Sequence, residues 1–104
     1  MSTEYTGEDL GAGVCVIVVA MEPGGRVRLH RHPYEEVFVV QAGEATFTLG
    51  DEERIVRAPE VVVAPAGLAH AFANSGTETL RQVDIHVSPQ FDTEWLEDAK
   101  PLQK

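Results

Sequence analysis

Short runs of β-branched and aromatic residues, each closed by a turn signal, succeed one another through this chain and leave no room for a long helix. Val14 to Met21 is one run, closed by Glu22-Pro23-Gly24-Gly25. Arg26 to Leu29 follows, then Glu36 to Gln41, closed by Ala42-Gly43. Glu44 to Leu49 and Arg54 to Arg57 read as a hairpin around Gly50-Asp51-Glu52-Glu53. Val61 to Ala64, Ala69 to Ala73 and Thr79 to Val87 complete the set, with Asn74-Ser75-Gly76 and Ser88-Pro89 as breaks. Short strands at this even spacing predict an all-β sandwich or barrel. In the tail, Asp92 to Glu97 reads as one helical turn with Asp92 or Thr93 as N-cap, packed on the barrel through Trp95 and Leu96.

A chain of 104 residues makes one domain, spanning 1–104, and its core is small, so burial at an oligomer interface is expected. The formal charge of −9 argues against nucleic acid, because phosphate binding needs clustered Lys and Arg. The only lysines, Lys100 and Lys104, sit in the tail. Cys15 is the single cysteine and lies in an apolar strand, where it reads as core; no intrachain disulfide can form. Met1 to Asp9 lacks the basic-then-apolar order of a signal peptide, and Val14 to Met21 is too short to span a bilayer. A soluble cytoplasmic protein without membrane partners is the expectation.

Taken singly, each of the four histidines is most simply a surface or hydrogen-bonded core residue. Spacing argues otherwise for three of them. His30 and His32 stand two apart in an extended segment, so both point to one face. Glu36 opens the next strand after His32-Pro33-Tyr34, and His70 follows the turn Pro65-Ala66-Gly67. Three imidazoles and a carboxylate form a mixed nitrogen and oxygen set suited to one divalent ion of Mn, Fe, Ni, Co, Cu or Zn. Such a set leaves up to two positions of an octahedral shell open for substrate or oxygen.

These residues belong to two motifs, and the pattern resembles the cupin family. The first motif reads Gly24, His30, His32, Glu36 and Gly43; the second reads Pro65, Gly67, His70 and Asn74, all in register. The one departure is Pro59, where the second motif begins with Gly. Proline cannot adopt the positive φ that such a glycine provides, so the Ala58-Pro59-Glu60 turn is expected to differ locally. The resemblance implies a jelly-roll barrel (a double-stranded β-helix), usually a homodimer, with a metal held by His30, His32, Glu36 and His70. It also implies a structural role for Asn74.

The rest of the cavity is read from strand alternation. Arg28 shares the parity of His30 and His32, so it points inward to a substrate carboxylate or to an internal acid. Phe38, Val40 and Phe72 supply an apolar wall. On the last strand Gln82, Asp84 and His86 share one face, which either meets solvent or closes the barrel beside the metal. In the second case His86 and Asp84 are the candidate acid and base, with Gln82 beside them. Tyr34 sits at the barrel mouth, and surface exposure is the simpler expectation for it.

Two functions follow. One is a metal-dependent enzyme of isomerase, cyclase, lyase or dioxygenase type. Its substrate would be a small oxygenated molecule: a hydroxy or keto acid, a sugar or a polyketide-like compound. The other is a module that binds a small ligand without turning it over. Structural use resembling seed-storage cupins conflicts with an intact ligand set.

Overall fold

The computed structural model describes residues 1–97; Lys100 and Lys104 lie outside the described residues. Its strands are β1 (Ser2–Tyr5), β2 (Cys15–Met21), β3 (Arg26–Arg31), β4 (Glu36–Ala42), β5 (Glu44–Leu49), β6 (Glu52–Arg57), β7 (Glu60–Ala64), β8 (His70–Asn74), β9 (Leu80–His86) and β10 (Glu94–Trp95). One four-residue helix, α1 (Gly7–Leu10), lies between β1 and β2. All pairings are antiparallel, and they build two five-stranded sheets, β1-β2-β9-β4-β7 and β10-β3-β8-β5-β6. This is the jelly roll that the resemblance implied. No helix among the described residues is long and apolar enough to cross a membrane.

Alternation divides each strand between two faces. On β4, Glu36, Phe38 and Val40 are buried between the sheets, while Val37 and Val39 are only half-buried. On β9 the buried set is Leu80, Gln82, Asp84 and His86, so the polar face of this strand is the inner one. The apolar core gathers Phe38, Val40, Ala45, Phe47, Val56, Val62, Ala64, Phe72 and Leu80. Phe47 meets the edge of Phe38 at 4.9 Å and stacks on Phe72 at 5.3 Å. Phe38 in turn meets His70 at 5.8 Å, so the core backs directly onto the histidines. Cys15 is fully buried, as expected of a core residue, and its Sγ accepts from the Gly7 N–H at 3.3 Å.

Glycine is required where two loops turn. Gly67 has φ 82° and its N–H donates to the His32 carbonyl at 2.8 Å, tying the turn before His70 to the first histidine pair. Gly43 has φ 89°, and a Cβ there would sit 3.0 Å from the Thr79 carbonyl. Asn74 is structural: its amide donates to the Met21 and Glu78 carbonyls, both at 2.8 Å. The Ala58–Pro59 peptide is cis, and Glu60 Oε1 accepts from the Arg57 N–H at 2.8 Å to close that turn.

Two expectations need correction. The tail from Asp92 to Glu97 is extended, not helical: Glu94–Trp95 pairs with Arg31 and His30, and the Leu96 N–H donates to the Leu29 carbonyl at 3.0 Å. The open edge of β3 supplies these backbone partners, and they outcompete a single isolated turn. The second concerns Arg28. Between Val27 and His30 the β3–β8 register shifts, so three steps on β3 meet two on β8. The extra residue resets the alternation. Val27 and His30, three apart, both line the interior. Arg28 is turned to the outside, where it donates to the Glu97 carbonyl at 3.0 Å and lies 4.3 Å over the Trp95 ring.

Phe47 is fully enclosed and touches both other core phenylalanines, so truncation leaves a cavity that cannot collapse. Phe47→Ala is expected to cost about 3–5 kcal/mol in urea denaturation, whereas Phe91→Ala, at a half-buried site, costs under about 1.5 kcal/mol.

Candidate metal centre

His30 and His70 are register partners on β3 and β8; His32 lies just past the end of β3, and Glu36 begins β4 in the opposite sheet. The two sheets thereby bring four ligand atoms, all within 4.8 Å of one another, into a buried cluster that is able to hold a metal ion. Ring centroids of His30 and His70 are 4.3 Å apart, and those of His30 and His32 are 4.9 Å apart.

The hydrogen bonds of these rings settle which nitrogen faces the cluster. His30 Nδ1 lies 2.6 Å from the Arg28 carbonyl, His70 Nδ1 2.9 Å from that of Leu68, and His32 Nδ1 2.9 Å from that of Asp92. A carbonyl only accepts, so each neutral ring carries its proton on Nδ1 and leaves an Nε2 lone pair. Glu36 Oε1 then sits 3.0 Å from His32 Nε2 and 3.2 Å from His70 Nε2. With both rings in that form acceptors face acceptors in a buried space; the His70 contact is a hydrogen bond only with a proton on Nε2, and His32 Nε2 makes none. Such a set calls for positive charge between its members, from a bound cation or from protons on the rings. The donor chemistry therefore fits a divalent metal.

The titration behaviour follows. Burial, with positive charge on His70 and His32 adding to it, pushes the His30 pKa down to about 4. Burial also works against His32, but the Glu36 carboxylate and the Asp92 carbonyl outweigh it and raise that ring above its ordinary value. Burial alone would raise Glu36; its contacts with His32, His70 and His86 prevail and hold the carboxyl below the usual range. In the metal-free protein a proton on His32 thus supplies part of the missing positive charge.

A second group of polar residues stands beside this cluster. Tyr34 stacks on His32 at 4.9 Å with 8° between the planes, and its hydroxyl lies 2.7 Å from His86 Nδ1. Exposure is therefore not its fate. The hydroxyl also accepts from the Asp92 N–H at 3.2 Å. Burial pushes the phenol up to about 12, so its O–H remains available to donate to His86 Nδ1. His86 Nε2 lies 3.0 Å from Glu36 Oε2 but away from the line of a hydrogen bond. Asp84 is raised well above the ordinary carboxyl value by burial, then by repulsion from Glu36; the Gln82 amide at 2.8 Å opposes this only in part.

These groups line a cavity of about 260 Å³ between the sheets. His30, His32, Glu36, His86 and Asp84 form its polar side. Ile17, Val19, Met21 and Val27 form an aliphatic wall, and Phe72, Phe91 and Trp95 an aromatic one. Ser2 and Glu4 on the exposed strand β1 complete the rim. Of the substrate-side residues expected from the sequence, Phe72 lines the cavity. Phe38 is packed in the core, Gln82 is buried with its amide on Asp84, and Arg28 lies outside. Phe91, Thr93 and Trp95 were missed; the signal for them was the presence of two large aromatics in an otherwise polar tail.

Comparison with known proteins agrees with this geometry. The model of the cupin domain matches residues 17–86, which contain all four candidate ligands. Polyketide synthase CurC of Streptomyces cyaneus is 40% identical over 70 residues, covering 66% of this chain; the chain spans only 45% of that relative's length. A double-stranded β-helix protein from Klebsiella pneumoniae superposes with a TM-score of 0.76 at 25% identity, covering 83% of this chain and 76% of the other. Oxalate oxidase in complex with glycolate superposes with a TM-score of 0.81 at 27% identity, covering 92% of this chain and 54% of the other. On the family match, the ligand motifs and the two-sheet barrel together, the chain belongs to the cupin family.

Proposed function

We propose that this protein is a metal-dependent enzyme that moves a proton on a small oxygenated molecule, in an isomerase, cyclase or lyase reaction. The observation that carries the reading is the position of His86 and Asp84, two titratable groups facing the same cavity as His30, His32 and Glu36. His30, His32, Glu36 and His70 would hold the ion, one of Mn, Fe, Ni, Co, Cu or Zn. When bound, a divalent metal supplies Lewis acidity to a chelated oxygen and so acidifies the neighbouring C–H or O–H. The protein's own part is proton management. His86, its ring held by the Tyr34 hydroxyl 2.7 Å from Nδ1, would take a proton from one substrate atom and return it to another, ending in its starting state. Asp84, raised above the ordinary carboxyl value by burial, would hold or release a second proton. The likeness to a polyketide synthase protein supports a polyketide-like substrate among the candidates. A binding module remains the second reading, and the exchange experiment below separates the two.

A homodimer belongs to the same proposal. The outer face of the first sheet carries two registered rows, Val16–Ile85–Val37–Val63 and Val18–Val83–Val39–Val61, without a charge among them. Val18, Val61 and Val63 are 46%, 59% and 47% exposed, an unusual face for a chain of net charge −9. Exposed Arg81 lies at one end of this patch on β9 and exposed Glu35 at the other, before β4. A second copy docked about a two-fold axis perpendicular to the strands brings each Arg81 toward Glu35 of the partner subunit. The buried lone cysteine favours a reducing cytoplasm for such a dimer.

Elemental mass spectrometry on untagged protein is expected to find one divalent ion per chain, and His32→Ala or His70→Ala to lose it. Full metal content in either variant refutes the ligand set. Protons compete for the same lone pairs, so the sign with pH is fixed. As pH falls, affinity declines first through the raised His32 value, with His30 joining only near pH 4. Deuterium exchange at the carbinol carbon of 2-hydroxyacetophenone, followed by proton NMR, tests the chemistry. The loaded protein is expected to accelerate it, and His86→Ala to slow it by about 100-fold or more at unchanged metal content. No acceleration by the wild type favours the binding module. In sedimentation, Val39→Glu is expected to convert a two-chain particle into single chains; an unchanged particle size removes the valine face as the interface.

A further inference from the structure

We infer that the cavity selects a ligand with at most one negative charge, carried at the histidine end, and a flat apolar remainder: the class of aryl 1,3-dicarbonyls and hydroxyaryl ketones. The inference rests on the ligand set proposed above and adds the charge and shape of what meets it.

Charge is counted first. A divalent ion brings two positive charges and Glu36 returns one negative, so one anionic oxygen neutralises the polar end. No lysine or arginine lines the cavity among the described residues. The nearby guanidiniums are committed elsewhere. Arg28, absent from the lining, sits 4.3 Å over the Trp95 ring and bonds the Glu97 carbonyl at 3.0 Å, and Arg31 pairs with Glu94 at 2.9 Å. Glu4 at the rim adds a negative charge, and Asp84 adds either nothing or another negative. A second anionic group on the ligand therefore meets no counter-charge anywhere along the wall, and burying it unpaired is strongly unfavourable. The oxalate oxidase fold-mate acts on a dianion; this cavity is built against one.

Shape is counted next. Three aromatic rings, Phe72, Phe91 and Trp95, line the cavity beside its polar groups. Trp95 stands 4.9 Å from His30, and Phe91 meets His86 edge-on at 5.0 Å, so ring surfaces begin where the polar end stops. A volume of about 260 Å³ lies at the small end for ligand sites, enough for one ring and a chelating pair of oxygens. Two adjacent oxygens would match the two positions that four protein ligands would leave open in an octahedral shell.

Trp95 is the only tryptophan, so its emission reports on the cavity directly. The experiment titrates metal-loaded wild type with benzoylacetone, with the same diketone carrying a carboxylate para on its ring, and with oxalate. Affinities come from calorimetry and site occupancy from Trp95 quenching. Benzoylacetone is expected to quench and to bind at least tenfold more tightly than its carboxylated partner, with oxalate leaving the emission unchanged. Glu4→Arg, a surface change on an edge strand, is expected to bring the two diketones within about threefold. Equal or tighter binding of the carboxylated diketone, quenching by oxalate, or no binding of benzoylacetone overturns the inference. The same titration on metal-free protein keeps the two ideas apart. There the neutral diketone still outranks the charged one through the aromatic wall, even if metal analysis were to refute the ligand set.

Discussion

Three hydrogen bonds from imidazole Nδ1–H groups to backbone carbonyls govern this molecule. They decide which nitrogen of each ring faces inward, and so create a buried cluster of acceptors that favours positive charge at its centre. Two of the carbonyls, those of Arg28 and Leu68, come from residues two positions before the ring they hold, so local backbone suffices for His30 and His70. The third, Asp92, lies sixty positions beyond His32. His32 is therefore oriented only when the tail has crossed the barrel and paired Glu94–Trp95 with β3. The tail is part of the site's construction, and it brings Phe91, Thr93 and Trp95 to the cavity in the same step.

The barrel divides its interior to make such a cluster tolerable. Phenylalanines and valines fill one end at close packing, and Phe38 against His70 marks the boundary. At the other end Glu36 is buried among three rings that stabilise its charge, and burial works against a second charge on Asp84. An acceptor-rich cavity costs stability when nothing neutralises it. Any ion that binds the folded chain and not the unfolded one recovers that cost by mass action, so occupancy and stability are linked.

The ligand set was legible because it depends on spacing alone: His30, His32, Glu36 and His70 stand at motif distances that any jelly roll of this connectivity converts into one cluster. Strand positions were legible for the same reason, since turn residues punctuate them. What escaped had long-range causes. Arg28 was assigned to the interior by simple alternation, and a single extra residue on β3 reversed it. Asp92 and Thr93 look like helix caps, yet their polar groups serve His32, and their backbone is extended because β3 has an open edge. Tyr34 reads as a mouth residue until His86, fifty-two positions away, is seen to lie against its hydroxyl. β1, all of it exposed, carries no pattern by which burial could announce a strand.

Strand β9 shows how closely the site and the exterior are bound together. Its inner face is Gln82, Asp84 and His86, and its outer face Val83 and Ile85, the reverse of a strand whose outer face meets only water. A buried polar face is tolerated when its groups hydrogen-bond one another or face a wet or liganded cavity, and Gln82 on Asp84 and Tyr34 on His86 supply part of that satisfaction. Its apolar outer face has no such internal remedy, and it continues across β2, β4 and β7 in register. One inversion of a single strand thus makes two demands. Polar groups must have work inside the barrel, and apolar groups must have cover outside it. Because side chains alternate strictly along a strand, neither demand can be met by slipping the register, which would exchange the two faces and bury valines against the ligand cluster. The chemistry proposed for the cavity and the partner proposed for the sheet are in this sense consequences of the same seven residues.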